Sequence, residues 1–222
     1  MKILFAHGLE GSPNGSKPTW MKESLGWEVI CPEMSKNGWT IADQTEVIAE
    51  AISKNEDIDV IMGSSYGGLA IANASQRFAE RNLRLVLLAP AFGLAENFRS
   101  IAGEQGLIEW ENTGSRQYFH HGFGHEVEFG WDFITSADEM SWPTLHHRTI
   151  ILHGRQDNIV PIESSRKVSE SNELVQLIEV EDGHRLADSL YFIPVAVQRI
   201  LDRKSTRLNS SHSSVSRMPS SA

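Results

Sequence analysis

Val60-Ile61-Met62-Gly63-Ser64-Ser65-Tyr66-Gly67-Gly68 decides how this 222-residue chain is read. An apolar run that suits a buried strand enters Gly63-x-Ser65-x-Gly67, and a small-residue, helix-like run from Leu69 to Ser75 leaves it. A serine at a strained strand-to-helix turn leaves no room for side chains two residues before and two residues after it. Gly63 and Gly67 provide that room around Ser65. Ser64 is out of frame, because Met62 and Tyr66 would then fill the crowded positions. Taken alone, the pentapeptide also reads as a glycine-rich turn that opens a helix. Its flanks and what lies downstream separate the two readings.

Outward from this turn, apolar runs alternate with helical spacing. Residues 2–6, 27–30, 59–62, 85–89, 149–152 and 174–178 read as strands, and 17–25, 41–54, 66–81, 162–171 and 188–201 as helices. Thr40 with Asp43 resembles a capping start for the second helix, and Pro194 is expected to kink the last helix or to start its second half. Near-continuous apolar strands between helices imply an α/β protein with a mostly parallel sheet of about six strands, covered on both faces. Ligands of such a sheet bind at the carboxyl ends of its strands.

The segment 91–145 breaks the alternation, being far longer than a plain crossover needs. Val127, Phe129, Trp131 and Phe133 alternate with Glu126, Glu128, Gly130 and Asp132, which is a half-buried strand pattern, and Gly122-Phe123-Gly124 suggests a hairpin. The segment is expected to be a cap-like insertion over the active-site end that forms part of an acyl pocket. The alternative is a packed excursion that never touches substrate. On the cap reading, deleting 110–133 changes chain-length preference more than it changes the reactivity of Ser65.

Two further strand ends carry chemistry. One runs His153-Gly-Arg-Gln-Asp157-Asn-Ile-Val-Pro161 and the other Glu179-Val-Glu-Asp-Gly183-His184. Ser65, Asp157 and His184 thus each follow a separate parallel strand at one sheet edge, in the order Ser, Asp, His. His184 is the expected general base and acid, and Asp157 the group that orients its ring and stabilises the imidazolium. The bland alternatives are a turn or helix-capping role for Asp157 before Pro161 and a surface-loop histidine at 184. Glu181 and Asp182 share the loop of His184 and are poorly placed to face its ring. Backbone N–H groups of Tyr66, after the nucleophile, and of Leu9, after His7-Gly8, are the expected oxyanion donors. His7 and His153 precede glycines at strand ends and are read as loop-shaping. His120, His121 and His125 lack a cysteine or acidic ligand pattern, so no metal is expected, and no cofactor either.

Composition bounds the rest. Residues 203–222 are serine-rich, without periodicity, and resemble a cloning-vector or adaptor read-through; they are expected to be a disordered, vector-derived tail. Four of the 20 basic residues lie there and none of the 29 acids, which leaves 1–202 with 16 basic against 29 acidic side chains, a net charge of −13. So acidic a body should repel nucleic acid and anionic membrane. A single cysteine, Cys31, excludes an internal disulfide, and neither a signal peptide nor a membrane-spanning run is read, so a cytoplasmic location is expected.

With these residues in view, 3–202 resembles the α/β-hydrolase superfamily. The opening strand with His7-Gly8-Leu9-Glu10-Gly11-Ser12 and the following Lys17, together with Gly63-x-Ser65-x-Gly67, is similar to the small YqiA-like esterases. The resemblance implies a three-layer α/β-hydrolase fold over 1–202, in a minimal version that starts at the third strand of the full fold. It also implies carboxylesterase or thioesterase activity on a small-molecule ester or thioester, with the triad on Ser65, Asp157 and His184 and the oxyanion donors on Leu9 and Tyr66. The excursion 91–145 is longer than the smallest members carry. A serine at the elbow argues against dehalogenase chemistry, which uses aspartate there. A small-substrate amidase or peptidase is the alternative within hydrolases. A catalytically silent binding module of the same fold is the alternative outside them.

Overall fold

The computed structural model describes residues 1–202; the expected vector-derived tail, 203–222, lies outside the described residues. Among the described residues the strands are β1 (Lys2–Ala6), β2 (Glu28–Ile30), β3 (Val60–Ser64), β4 (Arg84–Leu88), β5 (Ser115–His120), β6 (His125–Gly130), β7 (Arg148–Gly154) and β8 (Val175–Val180). The α-helices are α1 (Ser16–Leu25), α2 (Ile41–Lys54), α3 (Tyr66–Ser75), α4 (Leu94–Thr113), α5 (Asp132–Met140), α6 (Ile162–Glu170) and α7 (Phe192–Leu201). Six strands form one parallel sheet in the order β2-β1-β3-β4-β7-β8, while β5 and β6 pair as a separate antiparallel hairpin.

The strand order places the site. The chain steps outward from β1 to β2, then returns past β1 to β3 and continues to the opposite edge. The direction therefore reverses between β1 and β3, and in an open α/β sheet the crevice beyond such a reversal is where ligands bind. β1 delivers His7-Gly8-Leu9 there and β3 delivers Ser65.

Alternating side chains explain why both faces are covered. Ile3, Phe5, Val60, Met62, Val86, Leu88, Ile150 and Leu152 form one core with Met21 of α1 and with Ile193, Ala196, Val197 and Ile200 of α7. The intervening Leu4, Ala6, Ile61, Leu85, Leu87 and Ile151 form the other with α2, α3 and the excursion residues Trp110, Phe129 and Phe133. Each fully buried aliphatic or aromatic side chain contributes about 1.5–3 kcal/mol relative to exposure, so the two cores define the three layers. α2 starts at a full capping box. The Asp43 backbone N donates to Thr40 Oγ1 at 3.0 Å and the Thr40 backbone N to Asp43 Oδ2 at 3.1 Å. Among the described residues no helix is long and apolar enough to cross a membrane.

Several boundaries move from their sequence-based positions. The last helix begins at Phe192, not 188, which puts Pro194 in its first turn. A proline there lacks only an N–H that would be unpaired anyway, so it opens the helix without kinking it. Within the excursion, the alternation expected to carry a strand through Phe133 stops at Gly130; Trp131 turns the chain and Phe133 is buried from α5. The Trp131 backbone N donates to Gly114 O at 2.8 Å, which closes the hairpin's open end. The hairpin is as expected, with His121-Gly122-Phe123-Gly124 at its tip. The helix α4 is not legible in the sequence. Its residues carry no apolar stripe, Ile101 and Ile108 are exposed, and Gly103 interrupts it at φ 67°.

α3 leaves β3 so abruptly that it lies against the end of β1. A Cβ on Gly67 would sit 2.4 Å from both Ala6 O and His7 O, and one on Gly63 would sit 2.6 Å from Gly67 O. These are backbone atoms, which cannot swing aside. Gly67→Ala is therefore expected to lower stability by about 1–3 kcal/mol through forced displacement of α3 from β1. Urea unfolding checks this, and an unchanged midpoint would show that the contact yields more easily than the geometry implies.

Candidate active site

Ser65 sits at φ 54° and ψ −118°, a backbone conformation rare for a residue with a side chain. Such a conformation costs about 1–3 kcal/mol and persists only where its surroundings over-determine it. They do so here. The Ser65 backbone N donates to Leu88 O of β4 at 2.8 Å, and the Ser65 carbonyl accepts from Leu69 N and from Ala91 N, each at 3.1 Å. Strand, helix and the segment after β4 thus all hold one peptide bend.

The two loops that follow β7 and β8 are joined along their backbones. Arg155 N donates to Val180 O at 2.8 Å and Gln156 N to Asp182 O at 3.0 Å. Gly154 makes this possible, since a Cβ there would lie 2.2 Å from Asp182 O. The junction brings Asp157 beneath His184. His184 Nδ1 is 2.7 Å from Asp157 Oδ2, and His184 Nε2 is 2.9 Å from Ser65 Oγ. A carboxylate only accepts, so Nδ1 carries the ring proton and the lone pair of Nε2 faces the Ser65 hydroxyl, which donates to it. The Asp157 side chain is fully buried, while that of His184 is 14% exposed.

Asp157 is satisfied on both oxygens. Oδ1 accepts from the backbone N of Ile159 at 2.9 Å and of Val160 at 2.8 Å. Oδ2 accepts from His184 and also from His153 Nε2 at 3.1 Å. Burial alone pushes the carboxyl pKa up, but the hydrogen bonds from His153, His184 and Val160 outweigh it and hold the group well below the usual carboxylate range. His153 is more than the loop-shaping residue that the sequence suggests. Its Nε2 donates to the Val160 carbonyl at 3.0 Å as well as to Asp157, and its Nδ1 accepts from Ser165 Oγ at 2.7 Å. Its place four residues before Asp157, at the strand end, is the one signal that points to it. Asp182 and Glu181 face away from the His184 ring, as their shared loop predicts. Asp182 accepts from the Gly183 N at 2.7 Å and the Asp188 N at 2.9 Å, and Glu181 pairs with Arg155 at 2.6 Å.

The loop after β1 lies against Ser65. A Cβ on Gly8 would be 3.3 Å from Ser65 Cβ and 3.9 Å from its Oγ. The backbone N–H groups of Leu9 and Tyr66 donate to no acceptor among the described residues. His7 shapes this loop, as expected, by donating from Nδ1 to Gly8 O at 2.9 Å and accepting from Met34 N at 3.4 Å; burial lowers its pKa. Tyr66 turns its ring into the core, with its hydroxyl donating to Trp39 O at 2.7 Å and its ring stacked on Phe133 at 5.9 Å. Chemically, the arrangement can pass a proton from a serine hydroxyl to an imidazole backed by a carboxylate, beside backbone donors at a sheet edge.

A profile of the uncharacterised protein family UPF0227 matches residues 2–199. No curated protein sequence matches the chain. Among solved structures it is similar to the alpha/beta hydrolase domain-containing protein 10 from mouse, with a TM-score of 0.70 at 20% identity over 90% of this chain and 89% of that one. It is similar also to Est1E from Butyrivibrio proteoclasticus, with a TM-score of 0.69 at 19% identity over 89% of this chain and 85% of that one. The meta-cleavage product hydrolase from Pseudomonas fluorescens superposes with a TM-score of 0.59 at 20% identity, over 89% of each chain. These likenesses show an α/β-hydrolase fold.

A carboxyl held below its unfolded pKa of about 4 adds stability above that pH, and the contribution is lost as pH falls through the folded value. Removing a donor to Asp157 raises its folded pKa, so the loss begins at higher pH. The acid-unfolding midpoint of His153→Phe is expected to move upward relative to the parent chain. His153→Gln, whose amide can donate from the position of Nε2, should move it less. Equal midpoints by circular dichroism for all three proteins would show that His153 does not support the carboxylate.

Proposed function

We propose that this chain, which belongs to the UPF0227 family, is a serine hydrolase that cleaves carboxylic esters through an acyl-enzyme on Ser65. One observation carries the reading: Ser65 Oγ, both ring nitrogens of His184 and the buried Asp157 carboxylate form a continuous hydrogen-bonded line, with steps of 2.9 and 2.7 Å. His184 Nε2 takes the Ser65 proton as Oγ attacks the ester carbonyl, and the carbonyl electron pair moves to oxygen. Asp157 holds the imidazolium that forms. The Leu9 and Tyr66 N–H groups receive the oxyanion, each such donor being worth about 3 kcal/mol in the transition state. The intermediate collapses with expulsion of the alcohol, which takes the proton from His184. Water, activated by the same imidazole, then releases the acid and restores Ser65. No step calls for a cofactor, and the sole cysteine, Cys31, suits a reducing cytoplasm.

Thioesters would follow the same steps, but three of the arginines that could meet CoA phosphates already have partners. CoA phosphates call for free basic side chains. Arg99 is paired with Asp138, Arg155 bonds Glu179 at 2.8 Å and Glu181 at 2.6 Å, and Arg116 lies over the Trp110 ring at 5.9 Å. The excursion is proposed to cap the acyl site, since its Phe133 stacks on Tyr66 beside the elbow.

The test is stoichiometric labelling by a fluorophosphonate together with turnover of p-nitrophenyl esters from short to long acyl chains. Labelling should vanish in Ser65→Ala, with kcat down by about 10⁴-fold or more. A folded parent chain that neither labels nor turns over esters would move the assignment to a binding module of the same fold.

A further inference from the structure

We infer that His120 is a positioning residue for the oxyanion hole: through it, the excursion's hairpin fixes the loop that presents the Leu9 N–H. The inference rests on acyl transfer at Ser65 as proposed above and adds a residue far from the proposed triad in sequence. His120 ends β5 and its side chain is fully buried. Its Nε2 lies 2.6 Å from Leu9 O, and its Nδ1 accepts from the backbone N of Phe123 at 3.0 Å. A carbonyl can only accept, so Nε2 carries a proton and donates it to Leu9 O, while the Phe123 N–H is shared between Nδ1 and the His120 carbonyl. Any buried imidazole must satisfy its nitrogens; this one, between Trp39 at 5.3 Å and Phe123 at 4.1 Å, does so on the backbone of the loop beside Ser65, 111 residues away in sequence.

The peptide geometry gives this contact a consequence for the site. The Leu9 N–H shares a rigid peptide plane with the Gly8 carbonyl, and that carbonyl accepts from His7 Nδ1 and from Gly11 N, both at 2.9 Å. The next plane, Leu9 O with the Glu10 N–H, is held by His120. With both planes held, the dihedrals of Leu9 are fixed and its N–H keeps one direction. The hairpin reinforces the clamp at Glu10. Tyr118 Oη donates to Glu10 Oε1 at 2.5 Å and Gly122 N to Glu10 Oε2 at 3.3 Å, and a Cβ on Gly122 would lie 2.5 Å from Glu10 O. The excursion is therefore no detachable specificity element. Deleting 110–133 is now expected to lower the reactivity of Ser65 along with any change in chain-length preference, contrary to the expectation from sequence.

Three variants of the full chain separate positioning from packing. His120→Phe keeps the ring volume and loses both bonds. His120→Gln can donate from the place of Nε2, while the shorter amide of His120→Asn reaches only the place of Nδ1 and cannot donate to Leu9 O. Amide hydrogen exchange across 7–12 should be about tenfold faster in the Phe and Asn variants and near the parent rate in Gln. For a p-nitrophenyl ester, kcat should fall about 10- to 100-fold in Phe and Asn with KM within about threefold, and recover in Gln. If His120→Phe fails to fold, the Gln and Asn pair carries the comparison, with Tyr118→Phe as a milder probe of the same clamp. Parent-like exchange and kcat in His120→Phe, or rescue by Asn in place of Gln, would overturn the inference. The two readings fail separately. A parent chain without Ser65 labelling sinks the hydrolase, whereas the exchange rates decide on the clamp with no substrate present.

Discussion

The structure depends on the crowding at one bend. Ser65 can hold a positive φ because β4 accepts its N–H, the first turn of α3 and the segment after β4 donate to its carbonyl, and Gly63 and Gly67, two residues away on either side, carry no side chains. One support is a strand of the sheet and the other two adjoin it, so the register of β3 and β4 is passed on to the Ser65 backbone. The same crowding explains why Gly67 abuts the end of β1 and why Gly8 can lie against the serine. Strain at the bend costs little against the many buried strand residues on either face, each of which contributes as much as the bend costs.

Electrostatics completes what the backbone starts. A buried carboxylate without partners would take up a proton. Asp157 avoids this with two backbone donors and two histidines, and the donors come from its own loop, from β7 and from the loop after β8. Gly154 lets the last two meet, because any side chain there would force the backbones apart. The acid, the imidazole and the serine are therefore aligned by main-chain contacts between parallel strands, and only the last two links are made by side chains alone.

This division explains what the sequence discloses. The parallel strands are legible because they are apolar on both faces, and the elbow because its glycines have no alternative in so tight a turn. The start of α2 is legible in Thr40 and Asp43, and Asp157 and His184 in their places at strand ends. The excursion follows no such local code. α4 has neither an apolar stripe nor a side-chain N-cap and is broken at Gly103. Phe133 mimics the next step of a strand because it belongs to an aromatic cluster, stacked at 4.7 Å on Phe129 and 5.9 Å from Tyr66, that can be reached from strand or helix alike. His120 and His153 escaped for a related reason. His153 looks like a loop-shaping strand-end histidine and His120 like one of three histidines without a metal-ligand pattern, and the atoms that give His120 its meaning lie 111 residues away.

The excursion and the elbow meet at both ends of the proposed oxyanion hole, in different ways. Tyr66 contributes its backbone to the bend and its ring to the excursion's core, so any residue there must suit both a helix start and an aromatic stack. Leu9 offers its backbone N–H, and its place is held by its own side chain packed on the core, by His7 just after β1 and by His120 of the hairpin. A segment tied in this manner to the two donors cannot swing clear of the site as one rigid lid without breaking the bonds of His120 to Leu9 and of Tyr118 to Glu10 and parting the Tyr66–Phe133 stack. The sheet thus sets where Ser65, His184 and Asp157 stand, and on the proposed reading the excursion sets how firmly the Leu9 and Tyr66 N–H groups are aimed.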